Sequence, residues 1–141
     1  MYNAILRSIA LATVALAMTS WAHAQDRLKP FVMASQTDIP FEQAVSDTYE
    51  HLTDSSFRIM GEYRPYEGAS VLVITRDDLK AAALSTDTSA WIAALRVAIT
   101  QNADATEVSY VNPDYLAIAY RLEQPIDQVS DDLANSLGAE T

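Results

Sequence analysis

The chain has 141 residues, 9 Lys+Arg against 19 Asp+Glu and a formal net charge of −10, and half of its residues are apolar or aromatic. That is enough for one domain with its own core and too little for two. With no cysteine and only three glycines, Gly61, Gly68 and Gly138, the composition excludes disulfides, thiolate metal sites, cysteine nucleophiles and three-glycine phosphate loops.

The first 24 residues read as a secretory signal: Arg7 is their only charged side chain, Ile9 to Met18 is an apolar run, and Ala22-His-Ala24 is a small-x-small end. The run is about half the roughly 18 to 20 residues a membrane span requires, so cleavage near Ala24 and a periplasmic or secreted product are expected, without membrane insertion afterwards. No cysteine follows the run to carry a lipid. Cleavage removes Arg7 and leaves the remainder one unit more negative. That acidity argues against nucleic-acid or anionic-lipid partners, which need cationic surfaces. It also serves solubility.

Residues 25–39 form an N-terminal segment with a candidate first strand over 31–34. Phe41, Ala44, Val45, Thr48, Tyr49 and Leu52 fall at helical spacing and predict a helix over 40–53. Residues 57–64 alternate like a half-buried strand, and Pro65-Tyr-Glu-Gly68 turns the chain into the β-rich 69–74. Pairing Arg64 with Ala69 aligns Ile59 with Ile74 and Gly61 with Leu72. Thr75-Arg-Asp-Asp78 has the capping-box pattern and opens a helix over 77–84.

Residues 91–100 and 105–111 predict a second hairpin, with Leu95 against Tyr110, Val97 against Val108 and Ile99 against Thr106, and with Arg96 diagonal to Glu107 on the other face. Asn112-Pro-Asp114 combines a capping side chain, a first-turn proline and a first-turn acid, and so starts a helix. A last helix spans 125–137, with Ile126, Val129, Leu133 and Leu137 as its apolar stripe and Gly138 as its stop. The expected fold class is α+β: a single domain over 40–138 with an antiparallel-dominated sheet of about five strands, helices on one face and a short tail at 139–141.

The familiar routes to an enzyme are weak here. After cleavage His51 is the only histidine, and no Gly-x-Ser-x-Gly elbow exposes a serine. Haem ligation by His51 and Met60 has no supporting motif. The acid doublets Asp77-Asp78 and Asp131-Asp132 each diverge by about 100° on a helix, which suits helix starts and solvated faces rather than metal binding. No cofactor or metal is expected. Carboxylate acid/base catalysis is an alternative without a motif behind it.

Arginine and tyrosine are concentrated at Arg64, Tyr66, Arg96, Tyr110, Asn112, Tyr115, Tyr120 and Arg121. Guanidinium forks and phenol tips together suit a small acidic ligand. The same residues also serve plain structural roles: Arg96 pairing with Glu107, Asn112 capping, and tyrosines packing with their hydroxyls bonded.

The runs 61–75, 95–100 and 108–121, above all Tyr110-x-Asn112-Pro113-x-Tyr115-x4-Tyr120-Arg121, resemble the exported bacterial branch of the domain of unknown function 302 family over roughly 40–138. The resemblance implies a compact α+β domain and a periplasmic setting, and no established reaction. Members of that family continue past the Leu-Gly of the last helix into an aromatic-rich segment, which implies a site left open here or completed by a second chain. The expected function is a non-catalytic binding or accessory module for a small anionic ligand or a partner protein. The alternatives are a carboxylate enzyme in the same cleft and a structural protein that forms a homodimer.

Overall fold

The computed structural model describes residues 28–103 and 105–140. The expected signal peptide lies outside the described residues. Within them the chain is one α+β domain, built from a five-stranded, wholly antiparallel sheet and four α-helices.

In chain order the elements are β1 (Phe31–Thr37), α1 (Phe41–Thr53), β2 (Arg58–Tyr63), β3 (Ala69–Thr75), α2 (Asp77–Ala82), a 3-10 turn (Ser89–Ala93), β4 (Leu95–Gln101), β5 (Thr106–Val111), α3 (Pro113–Ala119) and α4 (Asp127–Leu137). The strand order across the sheet is β1-β5-β4-β3-β2. Antiparallel strands place alternate residues on alternate faces, and here one set forms the core. Leu72 and Ile74 of β3, Leu95, Val97 and Ile99 of β4, and Val108 and Tyr110 of β5 pack against Phe41, Ala44, Val45 and Leu52 of α1 and Val129 and Leu133 of α4.

Several local expectations hold and several need correction. Asn112 caps α3, its side-chain oxygen accepting from the backbone N–H groups of Asp114 and Tyr115, with Pro113 in the first turn. The stripe of α4 is as read, with Ile126, Val129 and Leu133 buried and Leu137 partly so. The capping box at 75–78 does not form. The Thr75 hydroxyl donates instead to the Ala93 carbonyl, and Arg76 occupies the capping position with no side-chain bond to the backbone of the first turn. Residues 91–94 are not strand: Trp91 sits in the 3-10 turn, 76% exposed.

Both hairpin registers differ from the pattern-based reading. In the second, Val97 faces Tyr110 and Ile99 faces Val108, two residues from the expected alignment. A shift of two keeps every side chain on its face, so the apolar layer survives the change. In the first, Ile59 does face Ile74, but a bulge at Met60 sets Gly61 against Val73 and Glu62 against Leu72. One extra residue inverts the faces beyond it. Glu62 therefore turns to the helix side, where it accepts a 2.8 Å bond from the buried Ser70 hydroxyl.

The end of the chain lies along β1. Glu140 N–H donates to the Met33 carbonyl at 2.8 Å, and the Gln36 N–H donates to the Glu140 carboxylate at 3.2 Å. Gly138 is needed for this path: its φ is +100°, and a Cβ there would lie 2.5 Å from the Ala34 carbonyl oxygen.

Candidate functional site

Arg64 and Tyr66 meet, as the sequence groups them, in a cleft of about 630 Å³ shared with Phe41, Glu42, Gly68 and Gln101. The bulge at Met60 brings Arg64 to the helix side, over the Phe41 ring at 5.6 Å. Its fork is already bound: Nη1 and Nη2 donate to the two Glu42 oxygens at 2.6 and 2.9 Å, and Nε donates to Glu62 at 3.2 Å. These carboxylates hold Arg64 charged far beyond the usual range, and Arg64 in turn holds Glu42 below its ordinary value. An anion entering this cleft competes with two acids already in place.

The tyrosine and asparagine positions are spent on the fold. Tyr110 is buried, and its hydroxyl donates to the Gly138 carbonyl at 3.2 Å; burial, then the nearby Asp114 charge, pushes its pKa up. Asn112 caps α3 and its Nδ2 donates to the Lys29 carbonyl. Tyr120 ends α3, its carbonyl accepting from Thr88, and Arg121 follows it at φ +54° with an exposed side chain. Tyr115 is half exposed on α3. The eight residues do not converge on one site.

Arg76, which the sequence gave no reason to single out, is the most enclosed guanidinium among the described ion pairs, its side chain 10% exposed. Nε and Nη2 donate to the two Asp78 oxygens at 2.6 Å each, and Nη1 donates to Asp132 at 2.6 Å and to the Ser56 hydroxyl at 3.0 Å. The group lies over the Phe57 ring at 5.1 Å. Asp77 and Asp78 do sit in the first turn of α2, as expected of a helix start, but each acid doublet also sends one member to this arginine, a role the reading as helix starts and solvated faces did not include. Asp78 first and Asp132 second raise the Arg76 pKa against the opposing effect of burial. The junction ties β3 and α2 to α4. Beside it lies a cleft of about 510 Å³ lined by His51, Asp54, Ser55, Asp132 and Ser136. The Ser136 hydroxyl is used, donating to the His51 carbonyl, and Asp132 is committed to Arg76. Among the described residues no cluster of three or more His, Asp or Glu could hold a metal ion.

Arg96 stands apart from Arg64 and Arg76. It lies on the sheet face away from the helices, opposite Val73, and is exposed. The expected pairing with Glu107 is not made. Glu107 faces Thr100 and accepts from Gln36, and in the observed register about four residues of strand, some 13 Å, separate it from Arg96.

That second face is laid out in rows across the strands. The first carries Phe31, Val111, Arg96, Val73 and Gly61; the middle carries Met33, Ser109, Ala98, Val71 and Tyr63; the third carries Gln36, Glu107, Thr100 and Ala69. None of these side chains belongs to the core cluster. Phe31 is 60% exposed and Tyr63 49%. Among the described residues, the charged side chains within these three rows are Arg96 and Glu107, one of each sign, so the rows are largely apolar and close to neutral.

No family model matches the sequence, and no curated protein matches it. Among solved structures, the crystal structure of an uncharacterized conserved DUF302 protein from Bacillus stearothermophilus is similar, with a TM-score of 0.66 over 78% of this chain and 97% of that chain, at 12% sequence identity. The fold is DUF302-like. At that identity the likeness is one of fold, and it agrees with the architecture the sequence patterns predict. Within the DUF302-like fold, the open sheet face is the largest feature that sequence reading did not assign to residues. Part of its signal was present, since Val71, Val73, Ala98 and Val111 fall at the outward positions of their strands, among the polar Arg96, Thr100, Glu107 and Ser109.

Proposed function

We propose that this chain is an exported, non-catalytic interaction module whose docking surface is the open face of the sheet. Export rests on the three-part N-terminal signal in the sequence. The observation that carries the docking reading is the contrast in how polar groups are used. The forks of Arg64 and Arg76 are filled by the chain's own carboxylates, while the largely apolar outer rows of the five strands contribute no side chain to the core cluster of the described residues. Exposed contiguous apolar surface of that kind marks interaction sites. A small anionic ligand fits less well, because Arg64, Arg96 and Arg121 do not share a cavity.

The test has two parts in the producing cell. The mature protein should be recovered outside the cytoplasm with Gln25 as its first residue. A photo-crosslinking side chain replacing Tyr63, on the open face, should form protein adducts in that compartment, whereas one replacing Tyr49, 47% exposed on α1, should not. Cytoplasmic full-length protein would sink export, and adducts at position 49 but not 63 would sink the docking surface.

A further inference from the structure

We infer that the occupant of the open sheet face is a second copy of this chain, packed face to face about a two-fold axis that lies along the middle row. This rests on the docking reading above and names its partner.

Charge selects the surface and then the axis. The chain carries a net charge of −10, and its helices carry acids outside the arginine pairs, among them Asp47 and Glu50 on α1 and Asp127 and Asp131 on α4. Two copies meeting through helices would repel. The sheet face is where two such chains can approach, since Arg96 and Glu107 offset each other there.

Two sheets stacked face to face sit about 10 Å apart with neighbouring strands about 4.8 Å apart. A two-fold axis running along β4 would set Arg96 over Arg96 and is disfavoured. An axis along the middle row keeps each strand over itself and reverses its direction, so the first row of one copy covers the third row of the other. Arg96 then lies over Thr100 of the second copy and one strand away from Glu107 of the second copy, a gap those two side chains span between them. Symmetry makes the pair twice, as an isologous contact requires.

Side-chain size fits the same axis. Right-handed twist brings two aligned sheets closest at their centre and splays them towards the corners. The centre of the middle row holds the small Ser109 and Ala98, and its ends hold the larger Met33 and Tyr63. Along the axis, then, small residues stand at the centre, where the sheets approach most closely, and the larger ones at the margins.

The experiment is sedimentation equilibrium on the purified protein as recovered from cells, with thermal unfolding as a check that each variant is folded. The wild type should be a dimer. Arg96→Glu and Glu107→Arg should each weaken it at least roughly 100-fold by setting like charges together twice. The double variant, with both charges exchanged, should return to within about threefold of the wild type. Folded Ala98→Arg should be monomeric. A wild type that is monomeric at about 100 µM, single reversals without effect, or a double variant that stays dissociated would each overturn the proposal. A monomeric chain whose position 63 crosslinks to a different protein would overturn the dimer and leave the docking reading standing.

Discussion

The two faces of the sheet are made by the same strands and have opposite fates. On β3, Leu72 and Ile74 are fully buried beneath the helices, while Val71 and Val73, which alternate with them, are only partly covered. On β4 the alternation runs Leu95, Val97, Ile99 inside and Arg96, Ala98, Thr100 outside. The outer set is small, β-branched or singly charged rather than richly polar, unlike the water-facing side of an ordinary one-sided antiparallel sheet. What differs is the cover, and composition alone conceals that.

The comparison is broken most directly at β3. Leu72→Ala should cost about 2 to 5 kcal/mol, the usual range for a fully buried leucine. Val73→Ala should stay within about 0.5 kcal/mol under dilute conditions where the chain is monomeric. Urea unfolding of both measures the contrast, and equal losses would mean that the outer face is covered within the monomer. Next in size is Arg76→Ala, which frees Asp78 and Asp132 from the junction binding β3 and α2 to α4. Since both carboxylates are more than a third exposed, screening reduces the effect to about 1 to 3 kcal/mol. Arg76→Lys, keeping charge but losing the fork, should recover only part of it.

The smallest effect sharpens the inner side. Tyr110→Phe removes the hydrogen bond to Gly138 and should cost about 1 kcal/mol near neutral pH. Burial holds the folded Tyr110 pKa above its ordinary 10.0, so the unfolded chain loses this proton first as pH rises. The stabilising preference for the protonated form is complete below pH 10 and is lost as pH climbs through the folded value. The wild type should therefore lose stability faster than Tyr110→Phe above pH 10, and parallel alkaline unfolding curves would place the phenol in water.

Much of the fold was legible because its signals are local or periodic. Asn112-Pro113-Asp114 carries its helix start in three adjacent residues, and the stripe of α4 depends only on spacing. The β4–β5 hairpin was misaligned by two residues, yet its inner face was right, since the side-chain period is two. Met60 shows the opposite case. A bulge leaves composition and alternation untouched, so nothing in 58–64 announces that Glu62 and Arg64 change sides. The arginine junction was illegible for a related reason: Asp78 and Asp132 are distant in sequence, each plausible as a helix-surface acid, and only the placement of α4, packed against α1 and α3, brings Asp132 to the arginine that Asp78 already holds. Of the candidate ligand residues, Asn112 caps α3 and Tyr110 packs with its hydroxyl bonded, the structural roles that stood beside the ligand reading, while Arg96 was tied to Glu107 through a register that does not occur.

The final turn of chain along β1 has a consequence for how far assembly can proceed. With the outward Met33 carbonyl and Gln36 N–H taken by Glu140, and with β2 distorted at Met60 on the opposite border, neither margin offers a straight ladder to an incoming strand. Open-ended lateral growth into fibrils is thereby discouraged at both sides. A chain so bounded can associate through its broad surface and stop there, which suits a protein that must remain dispersed wherever it accumulates.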